Sequence, residues 1–397
     1  GHAAGDGLLV EIADRITRAA GSTGWPARLG GDEFAVLLTG LTDPAAADQA
    51  AERLREDMLQ PVHLVEATVS VGASIGIAIA APELTAGDLM RCADIAMYSA
   101  KAKGKNRVER FTPDRHGSIE QVRRIEEHLV HALDRDEISV HYQPRVDLET
   151  GRCLGMEALA RWHDQVIGPV APDIFIPLAV RTGQIRELCA HMLRVACEQL
   201  SAWRRDAGLR ELTISVNVAG PQLYDPVLVD VVRDALHHAG IPADRLILDV
   251  TGEPAIDLDR AAGVLTALAD LGVRIALDDF GAGTMSITAL RTVPVHQIKI
   301  DGSLTAGHHP ADDAMVQIIV AASAALGIET VAECVETEER AAAMRQAGVA
   351  AAQGYLYARP MAADDATAWL LGDLGHPAGY RLTGAQVSPE ASGPSSA

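Results

Sequence analysis

Glu157, Asn217, Asp249, the neighbours Asp278 and Asp279, Lys299 with Asp301, and Glu333 each stand at the end of an apolar, strand-like run of the sequence. So many oxygen-bearing side chains gathered on one rim would repel each other strongly. A bound cation is the usual means of stabilising such a cluster. A hard, oxygen-rich ligand set favours Mg²⁺ or Mn²⁺ over zinc. The chemistry this pattern points to is metal-assisted and acts on an anionic substrate.

The elements that must position these groups are eight such runs between residues 138 and 354, most of them separated by helix-like stretches. That alternation predicts an α/β fold, a (β/α)8 TIM-like barrel, whose reactive groups gather at the C-terminal ends of its strands. The longest apolar helix-like stretch, residues 316–328, is too short to span a bilayer and is expected to be a buried helix of the barrel.

Composition narrows the function classes. The 397 residues carry 34 Lys+Arg against 54 Asp+Glu, a formal net charge of -20. Such a surface repels nucleic-acid backbones and anionic membranes, so no nucleic-acid partner is expected, while a small anionic ligand can still bind at a local basic or metal site. Aromatics are only 4% in a chain that is 48% hydrophobic, which leaves Ala, Val, Leu and Ile to pack the cores. The five cysteines, Cys92, Cys153, Cys189, Cys197 and Cys334, are scattered and form no C-x-x-C pair. That argues against a disulfide framework or zinc site and for a reducing, cytoplasmic setting. No signal peptide is visible; a membrane-bound sensor ahead of residue 1 stays open.

The expected organisation is a first block over 1–110, a linker and helix over 111–136, a barrel over 137–376, and a disordered tail over 377–397. The linker contains turn-rich residues 112–118, then Val122, Ile125, Leu129 and Leu133 at helical spacing. That helix either fixes the orientation of the two blocks or simply closes the base of the barrel.

The barrel's motifs carry a family resemblance. Tyr142-Gln143-Pro144, Met156-Glu157-Ala158-Leu159-Ala160-Arg161-Trp162, Ser215-Val216-Asn217, Leu277-Asp278-Asp279-Phe280-Gly281, Lys299-Ile300-Asp301, Ala332-Glu333, Val335-Glu336-Thr337 and Gln353-Gly354-Tyr355 occur in order. This region resembles the EAL domain, a family of cyclic-di-GMP phosphodiesterases. The resemblance implies that Glu157, Asn217, Asp249 and Asp278 hold one Mg²⁺ or Mn²⁺ and that Asp278, Asp279 and Glu333 engage a second. It implies catalytic roles for Lys299, Glu333 and Asp279, and substrate contacts from Gln143, Arg161 and Gln353. The implied reaction opens cyclic-di-GMP to linear pGpG, and the implied assembly is a homodimer through this domain. For Asp301 and Glu336 a structural role stands level with a functional one. Gly354 and Tyr355 are expected to be turn and packing residues.

The first block resembles the C-terminal part of a GGDEF, or diguanylate cyclase-type, domain. Gly1-His2, Gly5-Asp6, Arg28-Leu29-Gly30-Gly31-Asp32-Glu33-Phe34 and the closing run from Ala93 to Arg107 carry the match. The resemblance implies guanine contact from Asp6, a phosphate and metal turn at Gly30, Gly31, Asp32 and Glu33, and phosphate contacts from Lys101 and Lys105, hence GTP contact at this remnant. The sequence opens partway through that pattern, without the first strand and its metal-binding Asp, so a truncated domain without cyclase activity is expected.

The barrel departs from the EAL pattern in four places. The family's E-I-T-E is Asp249-Val250-Thr251-Gly252, which shortens one metal-binding arm by a methylene and removes an acid that pins the following loop, with Glu253 one residue later. That loop, Gly281-Ala282-Gly283-Thr284-Met285-Ser286, replaces G-T-G-Y-S-S. Val180 replaces a Glu, and Cys334 replaces a Gly. The shorter arm is expected to weaken metal affinity unless the backbone moves inward. The function expected is metal-dependent hydrolysis of cyclic-di-GMP, possible at reduced rate; the alternative is an inactive cyclic-di-GMP receptor or interaction module.

Overall fold

The computed structural model describes residues 2–30, 33–41, 43–63, 68–69, 71–82, 84–102, 106–112, 119–251, 258–281, 293–307 and 311–372. Gly31, Asp32, Lys105, Gly252, Glu253, residues 282–286 and the tail, for which the sequence carries expectations, lie outside them, as do the side chains of Asp6 and Lys101.

The first block opens with α1 (His2–Ala20), an antiparallel hairpin of β1 (Gly24–Gly30) and β2 (Glu33–Leu38), and α2 (Pro44–Leu59). Asp43 starts α2 by accepting a bond from Ala45 N at 2.9 Å, with Pro44 at the first helical position. Short β3 (Val62–His63) and β4 (Thr68–Val69) pair with each other, and β5 (Ile75–Ile77) pairs in parallel with β6 (Val108–Arg110). Between these last two runs α3 (Ala86–Ala102).

The connecting helix, α4 (Ile119–Ala132), has partners on both sides. Val122 is fully buried with Cys92, Ile95 and Ala96 of α3 and with Phe111, while Ile125, Leu129 and Ala132 join the barrel core. Arg123 donates from Nε to Oδ1 of the buried Asp88 at 2.7 Å and also ion-pairs through Nη2. Glu126 ion-pairs with Arg91 of α3 at 2.7 Å and with Arg181 of the barrel at 3.1 Å. His128 meets the buried Asp164 at 2.6 Å.

The barrel begins with β7 (Ile138–Asp147) and β8 (Cys153–Asp164), followed by β9 (Gly168–Val170), α5 (Pro172–Thr182) and α6 (Ile185–Trp203). Then β10 (Thr213–Val218), α7 (Val227–Ala239), β11 (Leu246–Thr251), α8 (Leu258–Asp270), β12 (Arg274–Phe280) and β13 (Gln297–Ile300) continue the wall. It ends with α9 (Gly302–Thr305), α10 (Asp312–Ala325), β14 (Glu329–Ala332), α11 (Glu338–Ala347), β15 (Ala351–Ala352) and α12 (Ala363–Leu370). The strand order is β8-β10-β11-β12-β13-β14-β15-β7, closed by β7 on β8. Closure leaves no free edge in the wall.

The wall is not all parallel. β7 runs antiparallel to both β8 and β15. The reason is the connection: residues 148–152 turn the chain back as a hairpin, whereas a parallel neighbour needs a crossover of about a dozen residues or more. The stretch expected as a buried helix forms α10, and it is only half covered. Val316, Ile319 and Ser323 are buried, while Met315, Ile318 and Leu326 just beyond its end lie in solvent. Among the described residues no helix is long and apolar enough to cross a membrane.

Candidate metal and substrate site

Inward-facing residues alternate along each strand, so the C-terminal ends of the wall bring Glu157 of β8, Asn217 of β10, Asp249 of β11, Asp278 of β12 and Lys299 of β13 to one place. Parallel register aligns Asn217 with Asp249, and the antiparallel pair aligns Gln143 of β7 with Glu157. Glu333 follows β14 and Gln353 follows β15; their backbone N–H groups are held by Ile300 O at 3.1 Å and Ala332 O at 2.8 Å.

Lys299 stands at the centre. Its Nζ lies 2.8 Å from Glu333, 3.2 Å from Asp249, 3.2 Å from Asp278 and 3.6 Å from Glu157. Burial works against its charge, but these four acids outweigh it and raise its pKa well above the ordinary lysine range. Glu157 is held on both oxygens, by Asn217 Nδ2 at 2.7 Å and by Gln353 Nε2 at 2.6 Å. Burial pushes Glu157 up, yet Lys299 and these donors bring it below the usual range. Asp278 is raised by burial, and Glu333 is raised well above its usual range by burial and by Asp278. Asp249 has no exposed surface, and burial lifts it to about 7.

Two adjacent acids normally point to opposite faces of a strand. Here Leu277 pairs with Ile298 and Phe280 with Ile300, so β12 carries one residue more than β13 across this stretch. Asp279 takes the extra position at φ 53. This bulge re-aims the side chain, so that Asp279 joins Asp278 and Glu333. Cys334, the residue after Glu333, is also left-handed at φ 53, which explains why a glycine suits this place.

The donor set fits divalent, oxygen-seeking ions. Ligand oxygens of Glu157, Asp249 and Asp278 lie within 4.8 Å of one another, as do those of Asp278, Asp279 and Glu333. Both oxygens of Asp249 are buried and make no hydrogen bond, one of them ion-paired with Lys299 at 3.2 Å, and a coordinated cation would satisfy the lone pairs left over. The short arm of Asp249 therefore already reaches the cluster.

Around this centre Gln143 receives Gln353 Nε2 at 3.0 Å and donates to Ala358 O at 3.0 Å. Arg161 is half-buried and donates to Ala160 O at 2.8 Å. Asp301 caps α9 by accepting from Ser303 N at 2.8 Å, which is a structural role, and Glu336 is exposed outside the cluster. Gly354 fits packing, since a Cβ there would lie 2.0 Å from Val335 O, but Tyr355 is exposed beneath the guanidinium of Arg359 at 4.2 Å, rather than packed. In the first block Gly30 and Glu33 pair across the hairpin turn and both are exposed. Sequence reasoning passed over Arg145, Thr213 and Gln297, which lie inside the barrel below the acids; their signal was the two-residue spacing from Gln143 to Arg145 and from Gln297 to Lys299.

The rim of this closed barrel carries two acid clusters able to coordinate a metal ion. The chain belongs to the EAL family: the EAL domain matches residues 126–360, and the diguanylate cyclase GGDEF domain matches residues 1–107. A Pseudomonas aeruginosa protein named bifunctional diguanylate cyclase/cyclic di-GMP phosphodiesterase MucR is 38% identical over 368 residues, 92% of this chain and 53% of that protein. Cyclic di-GMP phosphodiesterase NbdA of the same organism is 34% identical over 365 residues, 91% of this chain and 46% of its own length. The chain thus spans about half the length of these curated relatives. A solved structure of PaMucR phosphodiesterase in complex with c-di-GMP superposes with a TM-score of 0.58 at 36% identity, covering 61% of this chain and 99% of that one.

Proposed function

We propose that the barrel hydrolyses cyclic-di-GMP to linear pGpG with two Mg²⁺ or Mn²⁺ ions. The observation that carries this reading is the pair of acid clusters sharing Asp278, one with Glu157 and Asp249 and one with Asp279 and Glu333. The names of the relatives and the ligand of the solved structure point the same way. In this reading Asn217 completes the first ligand set. Bound ions supply charge neutralisation and an acidified water for in-line displacement. Lys299 balances charge on the phosphoryl oxygens and holds Glu333 and Asp278 in place. Arg161 turns its guanidinium to a substrate phosphate, for which its fork is suited. Gln353 and Gln143 fix Glu157 so that its oxygens keep their aim.

The reading extends to two partners. Homodimerisation is supported by the solvent-facing Met315 and Ile318 of α10 with Leu326. GTP contact at the first block is supported by the exposed Gly30 and Glu33 at the hairpin turn. The deciding experiment is incubation with cyclic-di-GMP and Mn²⁺, following pGpG by chromatography, with Asp278→Asn as control. Product from the wild type alone is expected. Binding of cyclic-di-GMP without any product would make the protein a receptor, and equal rates in both proteins would remove Asp278 from the site. For the dimer, Ile318→Asp should halve the mass seen by sedimentation; an unchanged mass rejects that face.

A further inference from the structure

Below the acids the barrel holds a second buried cation. Arg145 lies two residues past Gln143 on the same inward face of β7 and is 5% exposed. Its guanidinium crosses the interior: Nη1 donates to Gln297 Oε1 on β13 at 3.0 Å, and Nη2 to Thr213 Oγ1 on β10 at 2.8 Å. Its Nε is buried with no acceptor. Gly155 on β8 leaves the space it needs, since a Cβ there would lie 3.2 Å from Nη2 and 2.2 Å from Thr213 Oγ1. Gln297 passes the connection on to Glu329 at 3.3 Å, which Arg274 holds at 2.6 Å.

Both side chains that bond Arg145 are neutral. A buried guanidinium without a bonded carboxylate is costly, and an apolar side chain would brace the strands at less expense. Gln297, which accepts from Arg145, shares a register row with Ala276 and Asp249 and donates to Glu329, so these two acids favour the guanidinium's charge while Arg274 opposes it. Asp249 is also the acid whose two oxygens make no hydrogen bond, with Lys299 Nζ standing 3.2 Å from one of them. Among the described residues Lys299 is the one cation within 4 Å of Glu157, Asp249, Asp278 and Glu333.

We propose that Arg145 is a positioning residue whose fixed charge offsets the converging carboxylates whenever no divalent ion is held, and so sets a ceiling on divalent-ion affinity. The inference rests on the metal-dependent reading given above. It makes two effects of one residue run in opposite directions. Loss of the charge lets the acids repel each other and loosens the metal-free fold. The same loss removes a cation that competes with the ions, and tightens their binding. A plain brace between strands would lose both together.

The test measures thermal unfolding in chelator and Mn²⁺ affinity by calorimetry for the whole chain, as wild type, Arg145→Gln and Thr213→Val. Arg145→Gln is expected to unfold at lower temperature in chelator, yet bind Mn²⁺ roughly ten-fold more tightly, the order expected on removing a unit charge two strand residues, about 7 Å, below a divalent ion. Thr213→Val keeps the charge and removes one arm of the fork; it should lose stability with Mn²⁺ affinity within about two-fold of wild type. If Arg145→Gln does not fold, Arg145→Lys decides: the retained charge predicts folding and wild-type Mn²⁺ affinity, and failure of either shows that shape alone matters. Weakened or unchanged Mn²⁺ binding by a folded Arg145→Gln overturns the proposal and leaves the metal site standing. Absence of Mn²⁺ binding by the wild type overturns both.

Discussion

Asp249→Glu would restore the longer arm that the family pattern carries at this position, and the structure predicts that it harms the site. Asp249 has no exposed surface, and its oxygens already lie within 4.8 Å of ligand atoms from Glu157 and Asp278. An added methylene must therefore enter filled space beside Lys299, whose Nζ stands 3.2 Å away. Overpacking a buried position by one methylene costs about 1–3 kcal/mol. That is roughly five- to 150-fold in an equilibrium, and about 2–12 °C in melting temperature for a domain of this size. The assay is calorimetric Mn²⁺ titration beside thermal unfolding in chelator, with Asp249→Asn as the reference for a lost carboxylate. Asp249→Glu should fall between the wild type and that reference. Tighter Mn²⁺ binding at unchanged melting temperature would show that the aspartate is too short, and would refute the reasoning.

Burial lifts Asp249 from 3.8 to about 7, so the folded chain keeps a proton that the unfolded chain releases. The stability this contributes in chelator is full below about pH 4 and is lost as pH rises to about 7, by about 4 kcal/mol for the one group. The difference in unfolding free energy between wild type and Asp249→Asn should follow that trend, and a difference independent of pH from 4 to 8 rejects it. Lys299→Met should cost about 3–5 kcal/mol in chelator, because four acids lose their common cation; turnover should drop roughly a hundred-fold with Mn²⁺ still bound, and a variant as stable as the wild type contradicts the geometry. Cys334→Gly should gain about 1 kcal/mol in a denaturant titration by relieving a left-handed residue at φ 53; a loss would show that contact of the thiol with Gly302 matters more.

The rim was legible because its ligands come from strand ends that the apolar runs mark out, so Glu157, Asn217, Asp249, Asp278 and Lys299 could be gathered by periodicity alone. Asp279 was legible as an acid, but its aim depends on a bulge, and a one-residue offset between β12 and β13 leaves no pattern in either strand. The reversal of β7 could be read from the five residues that join it to β8, had their number been weighed against the length of a crossover. Arg145 stayed hidden for another reason. A lone arginine in an apolar run looks like a sheet-edge residue until closure of the barrel carries Thr213 and Gln297 to it across the interior. The partial exposure of α10 was missed since composition alone does not say which apolar face meets a neighbour.

Helix α4 belongs to two cores at once, with Val122 in one and Ile125, Leu129 and Ala132 in the other. The two family matches stop and start on either side of its first turns, at residues 107 and 126. A gene fragment cut at that seam would give a barrel stripped of half a helix, with Glu126 at its very end. A chimera that grafts a foreign first block ahead of Arg123 must bring an acid where Asp88 stands and an arginine where Arg91 stands, or leave Arg123 and Glu126 facing the wrong charges. Module shuffling in such chains is thus constrained by a handful of pairs straddling the joint, and those pairs form a lineage marker that should change together or not at all.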